Sequence, residues 1–241
     1  MKSIRIYQPG LFEAGSSFQL DKSSSNHLIK VLRLKNSYSF NLFNGKGDEF
    51  SATLEISGKH AIAHIDTKLT SNNESRLQIH LLQGISKGDR MDFAIQKSIE
   101  LGVTSITPVI TERTVVNLKE NRAAKKQQHW QSVAISACEQ SGRSTLPTIN
   151  HICDLSTIIK TQTEELRILL NPLSNNNFQS LPSSKSLQIL IGPEGGLSDN
   201  EIKIASENGF TGVKLGPRIL RTETAALAAI TSAQLLWGDL A

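Results

Sequence analysis

The chain has 241 residues, of which 38% are hydrophobic, and its formal net charge is +4. This length accommodates one large domain or two of modest size, and the apolar fraction suffices for a buried core. The absence of a membrane-length apolar run and of a signal-peptide core, together with only two cysteines (Cys138 and Cys153), predicts a cytoplasmic protein without a disulfide framework. The modest positive charge permits a polyanionic partner without requiring one.

Residues 1–72 are predicted to form a small β-rich domain. Two strand-like runs, 38–43 and 49–54, flank Asn44-Gly45, a dipeptide that favours hairpin turns, and 61–65 is a plausible further strand. A short helical stretch, 23–34, carries three cations that are candidates for contacts with RNA phosphates: His27, Lys30 and Arg33. A solvated surface explains each of them equally well. The polar, turn-rich residues 70–75 indicate the domain boundary.

Residues 73–241 alternate between short apolar runs and helical patterns, which predicts an α/β domain with a mainly parallel sheet. The predicted strands are 77–82, 106–110, 166–170, 187–191 and 213–215. Helices are predicted at 89–101, with Asp89 as the cap, and at about 121–141. Ser198 and Glu201 form a capping box before a third helix, and a fourth begins near Thr222.

Two glycine-bearing loops follow the last two predicted strands. Each strand ends in Gly-Pro, at Gly192 and at Gly216, and each loop leads into a helix. The carboxyl ends of strands are where open α/β sheets bind ligands, and glycine lets the backbone approach a ligand closely. A tight turn would explain any one of these glycines. The two loops together, with charged residues inside each, favour a binding site.

Several other chemistries find little support in the sequence. No phosphate-binding G-x-x-x-x-G-K-[ST] is present, the dinucleotide G-x-G-x-x-G is missing from the first strand of the sheet, and the histidines show no zinc-enzyme spacing, so no metal is expected. Segment 84–88 matches the G-x-S-x-G pattern of serine hydrolases at Ser86. Because the last histidine, His151, follows no obvious strand end, a tight turn with a surface serine is the preferred explanation.

Segments 190–198 and 215–225 closely resemble the signature loops of the SPOUT methyltransferases, in particular the ribosomal RNA small-subunit methyltransferase E (RsmE) family. Segments 27–34, 95–103 and 137–143 resemble the same family, so the resemblance spans nearly the whole chain. It implies transfer of a methyl group from S-adenosylmethionine to N3 of a uridine in 16S ribosomal RNA. It also implies a PUA-like, RNA-binding β-barrel domain (1–72), a SPOUT domain with a trefoil knot (73–241), and a homodimer.

The resemblance also implies positions for the cofactor and leaves alternatives open. The residues expected to enclose the cofactor are Leu170, Asn171, Pro172, Ile191, Gly192, Pro193, Glu194, Gly195, Gly196, Leu215, Gly216, Leu220, Thr224 and Ala225. Apolar side chains such as those of Leu215 and Leu220 suit the faces of adenine. The alternatives are a non-catalytic RNA-binding protein and a SPOUT methyltransferase that acts on another RNA base.

Methylation at uridine N3 requires removal of the N3 proton, so the site needs a base or a group that stabilises negative charge on the ring oxygens. Arg221 is the first candidate for the stabilising group and Arg218 the second. Glu194 and Glu223 are candidate bases, because partial burial raises the pKa of a carboxyl group. Purely structural roles explain these residues equally well. Arg143 is a further predicted RNA contact.

Overall fold

The computed structural model describes residues 3–70, 73–115, 120–161 and 164–240. The chain divides into two units, of which the first comprises Met1–Glu74 and Cys138–Leu146, and the second Ser75–Ala137 and Pro147–Ala241. The sequence predicted a single boundary near residue 72, which itself lies outside the described residues. The first unit therefore contains a segment, 138–146, that is distant from the rest of the unit in the sequence.

The first unit is built on a five-stranded sheet with the order β1-β3-β4-β5-β2. Its strands are β1 (Arg5–Tyr7), β2 (Ser17–Gln19), β3 (Ser39–Phe43), β4 (Glu49–Ser57) and β5 (His60–Leu69). Strands β3 and β4 pair antiparallel, which confirms the predicted hairpin. The Asn44 side-chain oxygen accepts the backbone N–H groups of Lys46 and Asp48, at 2.8 and 3.2 Å, and so shapes the turn.

A short helical segment lies between β2 and β3, as predicted. Helix α1 (Lys22–Asn26) begins at Asp21, whose carboxylate accepts the Ser24 N–H at 2.8 Å, and a π-helical turn (His27–Val31) continues it. Leu28 is buried in the core of the unit, whereas Lys30 is exposed. The segment therefore anchors itself through one apolar side chain and presents its cation to solvent.

Buried charged groups join segment 138–146 to the sheet of the first unit. The Arg5 guanidinium pairs with Glu49 at 2.9 Å and donates to the Cys138 carbonyl at 2.7 Å. The Glu74 carboxylate accepts from Arg143 at 2.8 Å and from the Ser144 N–H at 3.1 Å. The buried charges of Arg5, Glu49 and Arg143 thus each have a partner of opposite charge, which offsets their loss of hydration.

The second unit is built on a seven-stranded sheet in which every described strand pair is parallel, as predicted. The strands run in the order β12-β10-β11-β6-β7-β8, and β9 also pairs with β7. They are β6 (Gln78–Gly84), β7 (Ser105–Ile110), β8 (Thr148–Ile149), β9 (Cys153–Asp154), β10 (Leu166–Leu170), β11 (Ser186–Ile191) and β12 (Thr211–Val213). Strand β12 ends two residues earlier than predicted, because the Lys214 N–H donates to the Asn176 carbonyl instead of extending the ladder.

The four helices predicted for this unit begin close to the predicted positions, and a short helix at Leu155–Ile158 was not predicted. The helices are α2 (Asp89–Glu100), α3 (Glu120–Ser141), α4 (Leu155–Ile158), α5 (Asp199–Glu207) and α6 (Thr222–Trp237). The capping box of Ser198 and Glu201 is confirmed at α5. The prediction that Asp89 caps α2 was wrong by one residue: Gly88 is the cap, and Asp89 occupies the first turn, where its charge suits the helix dipole. No helix in the described part of the chain is long and apolar enough to span a membrane.

Candidate functional site

Three loops of the second unit lie together at one edge of its sheet. They follow β10, β11 and β12, which are neighbouring strands, so their carboxyl ends share that edge. Backbone hydrogen bonds join two of the loops directly: Asn171 N–H to the Val213 carbonyl, and Lys214 N–H to the Asn176 carbonyl, both at 2.9 Å. The structure thus brings together the segments that were predicted to enclose a cofactor.

A cavity of about 520 Å³ opens at this edge. It is lined by Asn177, Phe178, Gln179, Lys214, Leu215, Gly216, Arg218, Leu220, Thr224 and Ala228. The predicted residues Leu215, Gly216, Leu220, Thr224 and Arg218 are among them. Residues 177–179 were not predicted, because this short 3-10 turn carries no motif or periodicity that marks it. The volume and the mixture of apolar and polar side chains are those of a small-molecule site.

The loop 192–196 is a tight turn packed against the end of β6. The Gly196 N–H donates to the Pro193 carbonyl at 2.8 Å, and Gly196 has a φ of +70°, which favours glycine. A Cβ atom on Gly84 would lie 2.5 Å from the Pro193 nitrogen. Glycine is therefore required at position 84 for the strand end and the loop to pack this closely.

Glu194 fixes this loop to the first turn of α2 and to the residue Lys87 shortly before it. Its carboxylate accepts the Lys87 N–H and an Arg90 guanidinium N–H, each at 3.1 Å. Burial opposes ionisation of Glu194, but hydrogen bonds from its own N–H, from Lys87 and from Arg90 outweigh burial and lower its pKa. The expectation that burial raises the pKa of Glu194 was therefore wrong.

Arg113 holds the same loop from another side. Its guanidinium donates to the Gly195 carbonyl at 2.8 Å, and a Cβ atom on Gly195 would lie 3.1 Å from the Arg113 Cβ. The sequence alone did not assign Arg90 or Arg113 to the loop, since both lie in segments far from it along the chain. Arg113 is the first residue of a segment rich in lysine and arginine, 113–126, of which residues 116–119 lie outside the described residues.

The start of α6 carries the predicted catalytic groups. Arg221 is the cap residue of the helix and is exposed, and no described residue forms a hydrogen bond or ion pair with its guanidinium. Arg218 is exposed at the cavity. One carboxylate oxygen of Glu223 is buried and, among the described residues, has no hydrogen-bond partner. Arg221 and Glu223 thus do not pair with each other, and the exposed guanidinium of Arg221 retains the capacity to contact a ligand.

The four predicted RNA contacts all belong to the first unit but differ in exposure. In the first unit, His27 is half-buried, and Lys30 and Arg33 are exposed. Arg143 is only 4% exposed, and its Nε and Nη2 atoms donate to Glu74 at 3.0 and 2.8 Å. This placement contradicts the prediction that Arg143 contacts RNA, because Glu74 already engages its enclosed guanidinium.

Ser86, the serine of the G-x-S-x-G match, lies in a buried turn. Ser86 is 2% exposed, and its hydroxyl lies 3.4 Å from the Gly84 carbonyl. It is not the surface serine that the sequence suggested, but a buried residue of the turn. Within the described ranges, no group of three or more His, Cys, Asp and Glu residues could hold a metal ion.

Comparison with known proteins identifies the family. An RNA methyltransferase domain matches residues 73–234, and an RNA methyltransferase PUA domain matches residues 20–66. The ribosomal RNA small subunit methyltransferase E of Buchnera aphidicola (subspecies Schizaphis graminum) is 41% identical over 239 residues, which cover 98% of this chain and 97% of that protein. The chain belongs to the ribosomal RNA small subunit methyltransferase E family. The resemblance in the glycine loops is thereby confirmed, and the protein is an RNA methyltransferase.

Two solved structures of similar proteins match this chain over its full length. A methyltransferase from Legionella pneumophila, in complex with the bound cofactor SAM, is 41% identical with a TM-score of 0.97. The ribosomal RNA small subunit methyltransferase E from Neisseria gonorrhoeae, bound to S-adenosyl methionine, is 42% identical with a TM-score of 0.94. In both comparisons the match covers 100% of each chain, which confirms the predicted fold class.

Proposed function

We propose that this protein binds S-adenosylmethionine at the cavity beside the three loops and methylates N3 of a uridine in 16S ribosomal RNA of the small subunit. The observation that carries the proposal is the cavity of about 520 Å³ that the segments after β10 and β12 and the start of α6 line. Two similar proteins with S-adenosylmethionine bound support the choice of cofactor. A ribosomal substrate also supports a cytoplasmic location.

The chemistry of the cavity suits this cofactor. Leu215 and Leu220 are half-buried and offer apolar contacts to an adenine ring, and the backbone at Gly216 can approach the ligand without a Cβ atom in between. When bound, S-adenosylmethionine supplies an electrophilic methyl group activated by a sulfonium. The loops Leu170–Pro172 and Ile191–Gly196, with Thr224 and Ala225, would complete the enclosure. Orientation by these elements would supply much of the rate.

The remaining groups at the start of α6 suit the reaction at the nucleotide. Arg221 and Arg218 are permanently charged and exposed, so either can stabilise negative charge on the uracil oxygens once the N3 proton leaves. Glu223 is half-buried and does not pair with Arg221, and it is the candidate acceptor of that proton. Glu194 is the weaker candidate, because its carboxylate is engaged by Lys87 and Arg90 and its pKa is lowered.

The reaction is tested by incubating the protein with radiolabelled S-adenosylmethionine and, separately, naked 16S RNA or small subunits from a strain that lacks the enzyme. We expect label on one uridine, at N3, as identified by nuclease digestion and mass spectrometry. Label on another base, or on transfer RNA alone, would contradict the assigned target. RNA binding without any methyl transfer would favour a non-catalytic RNA-binding protein.

We propose that the first unit binds RNA through His27, Lys30 and Arg33. Lys30→Ala and Arg33→Ala should each weaken RNA binding and, for each RNA phosphate that the variant no longer neutralises, reduce the slope of log K against log salt by about 0.7–0.9. Filter binding between low and moderate salt measures this slope. Lys59→Ala, which removes an exposed lysine elsewhere in the unit, is the matched control. Equal slopes for all variants would assign Lys30 and Arg33 to ordinary solvated surface.

We also propose that the protein is a homodimer and that its second unit contains a trefoil knot. Helix α6 leaves Leu235 and Leu236 exposed, at 51% and 46%, and such apolar surface is typical of an interface. Membership of the family supports the knot, which the resemblance in the glycine loops implies. Sedimentation equilibrium that gives the mass of a monomer at micromolar concentration would contradict the dimer, and an experimental structure with an unthreaded path would contradict the knot.

A further inference from the structure

Gln83 is a fully buried polar residue at the centre of the second unit. It lies in β6, one residue before the strand ends, and its register partner in β11 is Ile191, the residue before Gly192. Its side-chain amide nitrogen lies 2.9 Å from the Thr222 hydroxyl and 3.1 Å from the Gly84 carbonyl. Thr222 is the first residue of α6 and is only 5% exposed.

The hydrogen bonds of these residues can run in only one direction. The Gly84 carbonyl is an acceptor, which fixes the nitrogen of the Gln83 amide on the side of Gly84 and Thr222. The Thr222 hydroxyl lies 2.7 Å from the Gly192 carbonyl, also an acceptor, so its single proton is donated there. Thr222 must therefore accept from Gln83. We call the chain from Gln83 through Thr222 to the Gly192 carbonyl the Gln83 relay.

The Gln83 relay joins both glycine loops to the central sheet. Gly192 opens the loop after β11, and Thr222 ends the loop after β12 and starts α6, which carries Thr224 and Ala228 on the cavity wall. Packing already confines the first loop, since a Cβ atom on Gly192 would lie 2.9 Å from the Gly196 carbonyl carbon. The relay adds a directional restraint on the Gly192 peptide and on the first turn of α6.

An apolar side chain in place of Gln83 would occupy the same space at a lower free-energy cost of burial. The side-chain oxygen of Gln83 is buried and has no hydrogen-bond partner among the described residues. Burial of an unpaired acceptor is unfavourable, whereas methionine occupies a similar volume without a polar atom. The presence of glutamine at this position is therefore explained by the two hydrogen bonds that its N–H groups donate, which an apolar side chain cannot form.

We propose that Gln83 and Thr222 are positioning residues that set the relative placement of the two glycine loops and thereby the affinity for S-adenosylmethionine. The inference rests on the proposed cofactor site and extends it to two residues outside the predicted set. Neither residue need touch the reacting atoms. Their removal should change cofactor affinity more than the rate of methyl transfer at saturation.

The experiment measures the Kd for S-adenosylmethionine by calorimetry and the melting temperature of each variant. Gln83→Met should raise Kd about threefold to tenfold, the range expected for the removal of one hydrogen bond. Thr222→Val, which keeps the shape but removes the hydroxyl, should raise Kd at least as much. Thr222→Ser restores the hydroxyl and should return Kd to within about twofold of the wild type. At saturating RNA and cofactor, kcat should stay within about threefold.

Gln234→Met is the matched control. Gln234 is also fully buried, lies at the other end of α6, and bonds to Ser75 at 2.8 Å and to the Leu101 carbonyl at 3.0 Å. Its replacement should lower the melting temperature but leave Kd unchanged, which separates a general loss of stability from an effect on the cofactor loops.

The outcomes distinguish failure of the inference from failure of the proposed function. If the wild-type protein binds no S-adenosylmethionine, the cofactor assignment is overturned and the inference with it. If the wild type binds but Gln83→Met and Thr222→Val retain its Kd, the inference alone is overturned. Should Gln83→Met fail to fold, the comparison of Thr222→Val with Thr222→Ser decides the question, and equal Kd values for these two overturn the inference.

Discussion

Replacing Arg221 with alanine is expected to lower kcat for methyl transfer about 10²–10³-fold, the usual effect of removing one donor that stabilises charge in a transition state. Arg221 is the cap residue of α6, and its guanidinium is exposed and unengaged by any described residue. The amino terminus of a helix also favours negative charge. Both features suit a uracil ring that becomes negative when N3 loses its proton.

Affinity for the cofactor should change little in Arg221→Ala, because the proposed contact is to the nucleotide and strengthens as the charge develops. Arg221→Lys should recover only part of the rate, since lysine keeps the charge but not the planar fork of donors. Single-turnover methyl transfer at saturating RNA and cofactor measures the effect. Arg76→Ala, which removes another exposed arginine of the second unit, is the control.

A near-wild-type rate for Arg221→Ala would contradict the assignment. Arg218, which lines the cavity, would then become the candidate for charge stabilisation. A large rise in the Kd for S-adenosylmethionine with unchanged kcat would instead place Arg221 in cofactor binding.

The second large effect is expected at Arg5 in the first unit. Arg5→Met should destabilise that unit by about 3–5 kcal/mol, the usual cost of leaving one partner of a buried ion pair without the other. The side chains of Arg5 and Glu49 are 6% and 7% exposed, and Arg5 also donates to the Cys138 carbonyl. Glu49 would keep its charge in a buried site without its main partner.

Urea denaturation, monitored by circular dichroism, measures this loss of stability. The double variant Arg5→Met with Glu49→Leu should recover part of it, because no unpaired charge is then buried. Lys203→Met provides the control, since Lys203 and Glu207 are 74% and 60% exposed at 3.9 Å, and exposed pairs contribute less than about 1 kcal/mol. Equal destabilisation by Arg5→Met and Lys203→Met would show that the buried pair contributes little.

The Arg5–Glu49 ion pair makes the stability of the first unit sensitive to acid. Burial opposes ionisation of Glu49, but hydrogen bonds from Arg5, Ser144 and Asn41 outweigh it, so the pKa of Glu49 lies below its ordinary value of 4.5. As pH falls, the unfolded chain binds a proton at this carboxyl before the folded chain does. The contribution of Glu49 to stability is thus complete above the ordinary pKa and is lost as pH falls through the lowered one. Arg5→Met should flatten this dependence.

Local sequence features determined most of the secondary structure and the location of the glycine loops. The hairpin at Asn44, the capping box at Ser198 and the strand end before Gly192 each depend on residues a few positions apart. Turn chemistry, capping and apolar periodicity act over that range, so they can be read without knowledge of the fold. The resemblance of the sequence motifs to known signature loops additionally predicted the family.

Only the tertiary structure decided which side chains engage one another. Arg143 forms an ion pair with Glu74, Glu194 forms one with Arg90, and Gln83 donates a hydrogen bond to Thr222. These partners are 69, 104 and 139 residues apart in the sequence. The strand order and the packing of segment 138–146 within the first unit create these contacts. Burial then determines whether a charged or polar group remains available to bind a ligand.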